Sequence, residues 1–139
     1  MIVLDTTGLL AAIDASQRDH RPAATALRSA GPPRLLSPFV LAELDYLLST
    51  RVSTAAAGAL LGEVAAGAYQ LEPIDAEDVA ACVDVIERYH GLAFSIADAS
   101  VVVLAARHGT HDLLTLDERH FRPVAALDGR PFRILPADE

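Results

Sequence analysis

The chain has 139 residues, 52% of them hydrophobic, and carries a formal net charge of −8. All 11 basic residues are arginine, which excludes a phosphate-loop lysine, a Schiff-base lysine and the lysine of a phospho-receiver domain. The length predicts one domain over residues 1–139. A cytoplasmic protein without membrane contact is also predicted, because the sequence shows no long apolar run, no signal-peptide pattern and no second cysteine beside Cys82.

Short apolar runs alternate with helical patterns along the chain. Strands are predicted at residues 1–5, 34–36, 69–74, 113–115 and 132–135. Helices are predicted at residues 9–14, 18–30, 38–50, 53–67, 75–90 and 95–108, with Thr6-Thr7-Gly8 as a turn before the first of them. Strands that alternate with helices predict an α/β fold, in which a mostly parallel sheet has helices on both faces.

Four carboxylates lie beside or within apolar segments. Asp5 closes the first apolar run, Glu43 and Asp98 lie on predicted helices, and Asp117 follows a predicted strand. A step of 100° per residue places Glu43 inside the apolar arc of its helix and Asp45 on the opposite side. Because an ionised carboxylate in an apolar setting is costly without a cation or donor, the four acids predict a shared site for a divalent cation.

Each acid also has a purely structural explanation. Asp5 could cap the helix after Gly8, and Glu43 could be solvated. Asp98 forms a capping-box pattern with Ser95, and Asp117 could be a loop acid. The strand-end acids nevertheless favour one site, because ligands of open α/β sheets bind beyond the carboxyl ends of the strands.

Several polar neighbours are weaker candidates. The hydroxyls of Thr6, Ser100 and Thr115 could orient a ligand or water, and could equally satisfy backbone groups. Arg18 and Arg21 are candidates for phosphate contact, since an acidic chain needs a local arginine patch to bind a polyanion. The five histidines show no zinc-ligand spacing.

The four acidic segments, in their order and spacing, resemble the motifs of PIN-domain proteins, specifically the VapC-type toxin ribonucleases of bacterial type II toxin–antitoxin pairs. The segment Ile2–Leu10 resembles the first motif and Ser37–Leu44 the second. The segment Ile96–Ser100 resembles the third motif and Leu114–Phe121 the fourth. Position 7 is Thr where many relatives have Ser, which keeps the hydroxyl.

The resemblance implies a PIN-like three-layer α/β/α fold with about five parallel strands, and Mg²⁺- or Mn²⁺-dependent cleavage of RNA by a metal-activated water. It implies that the catalytic acids are Asp5, Glu43, Asp98 and Asp117. Asp5 and Asp98 are the expected metal ligands, and the other two assist directly or through water. A VapB-type antitoxin and a second copy of the chain are the expected protein partners, with 5′-phosphate and 3′-hydroxyl ends on the RNA products.

Two other functions are compatible with acids at strand ends. A dehalogenase-like phosphatase needs an Asp-x-Asp motif and normally a lysine, whereas this chain has Asp5-Thr6-Thr7 and no lysine. A catalytically inactive PIN-like module would serve as a binding scaffold, although all four acids are present.

Overall fold

Five short strands form one parallel sheet in the computed structural model, which describes residues Met1–Glu139. The strands are β1 (Ile2–Leu4), β2 (Arg34–Leu36), β3 (Gln70–Leu71), β4 (Asp112–Leu114) and β5 (Arg133–Leu135). Their order is β3-β2-β1-β4-β5, and Val3 of the central strand is in register with Leu35 and Leu113. The central strand is fully buried, which explains why its sequence is continuously apolar.

Seven α-helices and one short 3₁₀ turn connect the strands. The helices are α1 (Thr6–Ile13), α2 (His20–Ala30), α3 (Pro38–Arg51), α4 (Thr54–Ala65), α5 (Ala76–Arg88), α6 (Ile96–His108) and α7 (Glu118–Phe121), with the 3₁₀ turn at His90–Leu92. Four residues each accept a backbone N–H at a helix start: Ser37, Ser53, Asp75 and Ser95. None of these helices has the length and apolar character needed to cross a membrane.

The direction of chain progression reverses between β1 and β4. The chain steps from β1 to β2 and β3 on one side, then crosses back to β4 and β5 on the other. Because right-handed crossovers in opposite directions lie on opposite faces, this connectivity covers both faces of the sheet with helices. It also creates a switch point at the carboxyl ends of β1 and β4, where α/β proteins bind ligands.

Three local predictions differ from the structure. The segment Thr6–Gly8 is the first turn of α1 instead of a separate turn, since the Asp5 carbonyl accepts the Leu9 N–H at 3.0 Å. The strand predicted at residues 69–74 is reduced to two residues at the sheet edge, and the last backbone bond to β2 runs from the Glu72 N–H to the Leu36 carbonyl at 2.9 Å, just before Pro73. Helix α7 was not predicted, and its single turn begins at the N-cap Asp117.

The core is one apolar cluster of 36 buried residues that spans the sheet and its helices. Within it, Gly8 allows α1 to approach β4 very closely. A Cβ at this position would lie 2.3 Å from the carbonyl oxygen of Leu114 and 2.7 Å from the amide nitrogen of Thr115. Any larger residue must push these backbones apart, so Gly8 brings the end of β1 against the end of β4.

Candidate active site

Asp5 is a buried carboxylate at the carboxyl end of the central strand, with only 2% of its surface exposed. Its backbone N–H bonds to the Leu114 carbonyl at 3.0 Å, which ties it to the neighbouring strand. Asp5 occupies the N-cap position of α1, but its side chain does not cap the helix. Capping therefore does not explain why a carboxylate is buried here.

Two threonine hydroxyls hold one oxygen of this carboxylate. Thr7 Oγ1 donates to Asp5 Oδ2 at 2.8 Å, and Thr115 Oγ1 donates to the same atom at 2.6 Å. Each hydroxyl in turn accepts a backbone N–H at 3.0 Å, Thr7 from Leu116 and Thr115 from Asp117. Since a hydroxyl has one proton, the backbone donors leave both protons for Asp5.

The balance of these interactions sets the ionisation of Asp5. Burial raises the pKa of Asp5 from its ordinary 3.8 to about 6, the hydroxyls of Thr115 and Thr7 oppose that rise, and the negative charge of Asp98 adds to it. Two donors thus fail to compensate fully for the buried charge. The site stabilises the ionised carboxylate best when a cation is added.

The predicted supporting hydroxyls fall in three different settings. Thr115 bonds directly to Asp5, as described above. Thr6 is buried and its Oγ1 has no hydrogen-bond partner. Ser100 instead bonds to Ser37 Oγ and to the Ala97 carbonyl, both at 2.7 Å, so it joins α6 to the N-terminus of α3. Thr7, which was not among the predicted site residues, bonds to Asp5, whereas Ser100 makes no hydrogen bond to this acid.

Asp98 lies at the third position of α6 and completes a capping box. Its Oδ2 accepts the Ser95 N–H at 2.9 Å, and its own N–H bonds to Ser95 Oγ at 3.2 Å. The box occupies Oδ2 alone, which leaves Oδ1 available to another ligand. Because Asp98 also acts electrostatically on Asp5, the capping role and the site role are compatible in one residue.

Asp117 is paired with a histidine that the sequence analysis did not select. Its Oδ1 caps α7 by accepting the His120 N–H at 3.1 Å. The His120 ring nitrogen Nδ1 lies 2.8 Å from Asp117 Oδ2 and 3.8 Å from Asp98 Oδ2, without a directed hydrogen bond to either. His120 therefore lies between two of the predicted acids. The sequence feature that could have identified His120 is its position three residues after Asp117, the N-cap of α7.

Glu43 does not lie in a buried arc as predicted. The buried face of α3 consists of Val40, Leu44 and Leu48, which is centred about 100° around the helix from Glu43. Glu43 is exposed, as is Tyr46 at 66%. The prediction failed because apolar residues occur on all sides of α3. The apolar arc read from the sequence is therefore not the face that packs against the core.

The arginines near the site are largely free. The Arg18 side chain is 95% exposed and lies 4.0 Å from Asp19. It lines a cleft together with Thr115 and Glu118, next to the hydroxyl that bonds Asp5. Arg21 is exposed, and so is Arg119 on α7, which forms no ion pair and was not predicted. These side chains are available to phosphate groups.

The donor set is compatible with a hard divalent cation, although it is small. No three side chains among the His, Cys, Asp and Glu residues are grouped so that they could hold a metal ion. Mg²⁺ is nevertheless commonly bound through one or two carboxylates, with waters and substrate phosphates as its other ligands. The buried, incompletely compensated Asp5 and the open oxygen of Asp98 fit such a site.

Comparisons with known proteins identify the family and the fold of the chain. A family model for the PIN domain matches residues 2–127. Ribonuclease VapC26 of Mycobacterium tuberculosis is 38% identical over 135 residues, which cover 97% of this chain and 100% of the relative. The crystal structure of Mycobacterium tuberculosis VapC20, described as a Sarcin-Ricin loop cleaving toxin, has a TM-score of 0.80 at 22% identity and covers 86% of this chain and 92% of that one. FitAcB from Neisseria gonorrhoeae has a TM-score of 0.62 at 22% identity over 96% and 97% of the two chains. The predicted PIN-like fold is confirmed.

Proposed function

Because the chain belongs to the PIN-domain family, we propose that it is a metal-dependent endoribonuclease of the VapC toxin type. The sequence-based prediction of this family and of ribonuclease activity agrees with the 38% identical relative, which is named as a ribonuclease. The proposal covers residues 1–139 acting as a single nuclease domain.

One observation carries the chemical part of the proposal. The Asp5 carboxylate is buried at the sheet switch point, where the negative charge of Asp98, which belongs to a different element, helps to raise its pKa. Structural roles alone do not require this arrangement, because Asp5 caps nothing and its burial is costly. A bound divalent cation would compensate for the buried charge of Asp5, so this charge would contribute to the affinity for the metal.

Each side chain then has a defined role. Asp5 and Asp98 would hold Mg²⁺ or Mn²⁺, which when bound activates a water and neutralises charge on the scissile phosphate. Thr7 and Thr115 fix the Asp5 carboxylate. Asp117 and the exposed Glu43 would assist through water or directly, and Arg18, Arg21 and Arg119 would contact the RNA backbone.

The proposed protein partner is a VapB-type antitoxin. A net charge of −8 and a crevice lined by acids favour a partner that presents a basic side chain, most simply an arginine. We also propose a homodimer by analogy with the family, and a cytoplasmic location because a single cysteine, Cys82, is typical of a reducing compartment. Binding of the antitoxin should weaken with salt and compete with Mn²⁺.

The test is RNA cleavage by purified, antitoxin-free protein across a Mn²⁺ titration. We expect wild-type cleavage that depends on metal, and a loss on the order of 100-fold or more in Asp98→Asn. The control is Asp78→Asn, which alters the same third position of a capping box, in α5, and also weakens the 2.7 Å ion pair of Asp78 with Arg107. Since both changes weaken a helix start, loss of cleavage in Asp98→Asn alone separates the site from capping.

The same assay distinguishes the other two functions. Wild-type hydrolysis of p-nitrophenyl phosphate without RNA cleavage would favour a phosphatase. RNA binding without any cleavage at any Mn²⁺ or Mg²⁺ concentration would favour an inactive binding module. Equal activity of Asp98→Asn and wild type would remove Asp98 from the site.

A further inference from the structure

We propose that His120 is a positioning residue that holds the Asp98 and Asp117 carboxylates in place for the metal ion. The inference rests on the proposed metal-dependent function and adds a residue to it. The relevant atom is Nδ1, since it is the ring nitrogen that lies 2.8 Å from Asp117 and 3.8 Å from Asp98.

The imidazole is fixed from both sides. The His120 backbone N–H is bonded to Asp117 Oδ1, so the two residues form one closed turn at the start of α7. The ring packs against Phe94 with centroids 5.6 Å apart and planes at 76°, and Phe94 also packs against Phe121 of the core. The ring therefore has few alternative positions, and Nδ1 is held between the two carboxylates.

Two carboxylates from different elements repel each other when no cation is present. Asp98 is on α6 and Asp117 begins α7, and His120 is the one basic side chain within 4.0 Å of both. Nδ1 makes no directed hydrogen bond to either carboxylate, but a proton on this atom would place partial positive charge beside both oxygens. It thereby lowers the cost of keeping the acids together before metal arrives.

This contact differs from the other histidine–acid pairs in its neighbours. His111 lies 2.9 Å from Asp128, with 20% of its side chain exposed against 26% for His120. His111, which directly precedes β4, contacts the single exposed acid Asp128 through Nε2. His120 instead lies between two predicted site acids. The chain thus supplies its own control, a histidine with similar exposure and a similar acid distance.

Positioning predicts an effect on metal affinity. Removing groups that orient metal ligands typically weakens metal binding 10- to 100-fold. We therefore expect His120→Ala to raise the Mn²⁺ dissociation constant on the order of 10-fold, while cleavage at saturating Mn²⁺ falls much less. His111→Ala should leave both quantities unchanged.

Two amide variants identify the atom. Asn places its amide nitrogen near the position of Nδ1, whereas Gln places it near Nε2. We expect His120→Asn to retain wild-type Mn²⁺ affinity and His120→Gln to behave like His120→Ala. Because Asn and Gln are similar in size and polarity, their comparison remains informative even if His120→Ala fails to fold.

The experiment is isothermal titration calorimetry with Mn²⁺ on the full chain, run beside RNA cleavage over the same metal range. Unchanged Mn²⁺ affinity in His120→Ala overturns the inference, and so does rescue by Gln but not by Asn, which would assign the role to Nε2. If the wild type binds Mn²⁺ but cleaves no RNA, the ribonuclease proposal fails while the predicted order of affinities still tests His120. If the wild type binds no Mn²⁺, both proposals fail.

Discussion

Asp5→Asn is expected to stabilise the metal-free protein near pH 7.5 while abolishing cleavage. The ionised Asp5 is destabilising because its pKa is about 6 in the folded protein against an ordinary 3.8. That difference corresponds to about 3 kcal/mol at pH values above both. Asparagine removes the charge but weakens the bonds from Thr7 and Thr115, at a cost of about 1 to 2 kcal/mol. The net gain is about 1 to 2 kcal/mol.

The pH dependence follows from the direction of this pKa change. Between about pH 4 and pH 6 the folded wild type binds more protons at Asp5 than the unfolded chain does, so its stability falls as pH rises through that range. The variant lacks this contribution. The difference between the two proteins should therefore grow from pH 4 to pH 6 and stay constant above it.

Urea unfolding of both proteins at pH 4.5 and pH 7.5, in EDTA, measures this difference. For a chain of 139 residues, the expected gain at pH 7.5 corresponds to a rise in melting temperature of roughly 3 to 7 °C. Saturating Mn²⁺ should reverse the order, because at about 100 times the dissociation constant it adds about 2.7 kcal/mol to the wild type alone. A variant less stable than wild type by the same amount at both pH values would show that the threonine hydrogen bonds outweigh the buried charge.

Three further substitutions test other parts of the structure. Gly8→Ala should lower the free energy of unfolding in urea by about 2 kcal/mol or more, because its Cβ would clash with the carbonyl oxygen of Leu114. Gly58→Ala, on the open face of α4, should raise it by about 0.5 kcal/mol, and equal effects would contradict the close approach. Asp117→Ala should lose about 1 kcal/mol through its cap, and Glu43→Ala less than 0.5 kcal/mol since it is exposed, although both should lower RNA cleavage; a stability loss at Glu43 would restore the buried-arc interpretation. Arg119→Ala should weaken RNA binding and reduce the salt dependence by about one charge in fluorescence anisotropy; an unchanged salt slope would remove Arg119 from the RNA path.

The sheet was predictable because its strands are short apolar runs between strong helix signals. Ser37, Ser53 and Ser95 each begin a helix as their sequence context indicates. The failures involve information that does not lie in local sequence. The length of β3 depends on its place at the sheet edge, and the helical start of α1 depends on the contact of Gly8 with β4.

At the site, the sequence indicated the acids better than their partners. A buried carboxylate such as Asp5 is conspicuous in an apolar run, whereas Thr7 and Thr115 are ordinary residues until the fold places them 3.1 Å apart. His120 was not predicted because the spacing of the histidines indicates no zinc site, and the sequence alone does not show that His120 lies beside Asp98. Glu43 was assigned to the wrong face because a helix with apolar residues all round has no arc that sequence alone can define.

The charge on Asp5 connects the proposed metal, substrate and antitoxin. Four of the arginines are committed to acids outside the site: Arg107 to Asp78, Arg122 to Asp138, Arg130 to Asp128 and Arg133 to Asp112. No arginine is among the groups that shift the pKa of Asp5, and the threonines compensate for its burial only in part. A cation from outside would complete the proposed site, and a divalent ion or a partner's guanidinium would meet that requirement. The same uncompensated charge that would attract the proposed metal would thus also make the site open to inhibition by a basic side chain.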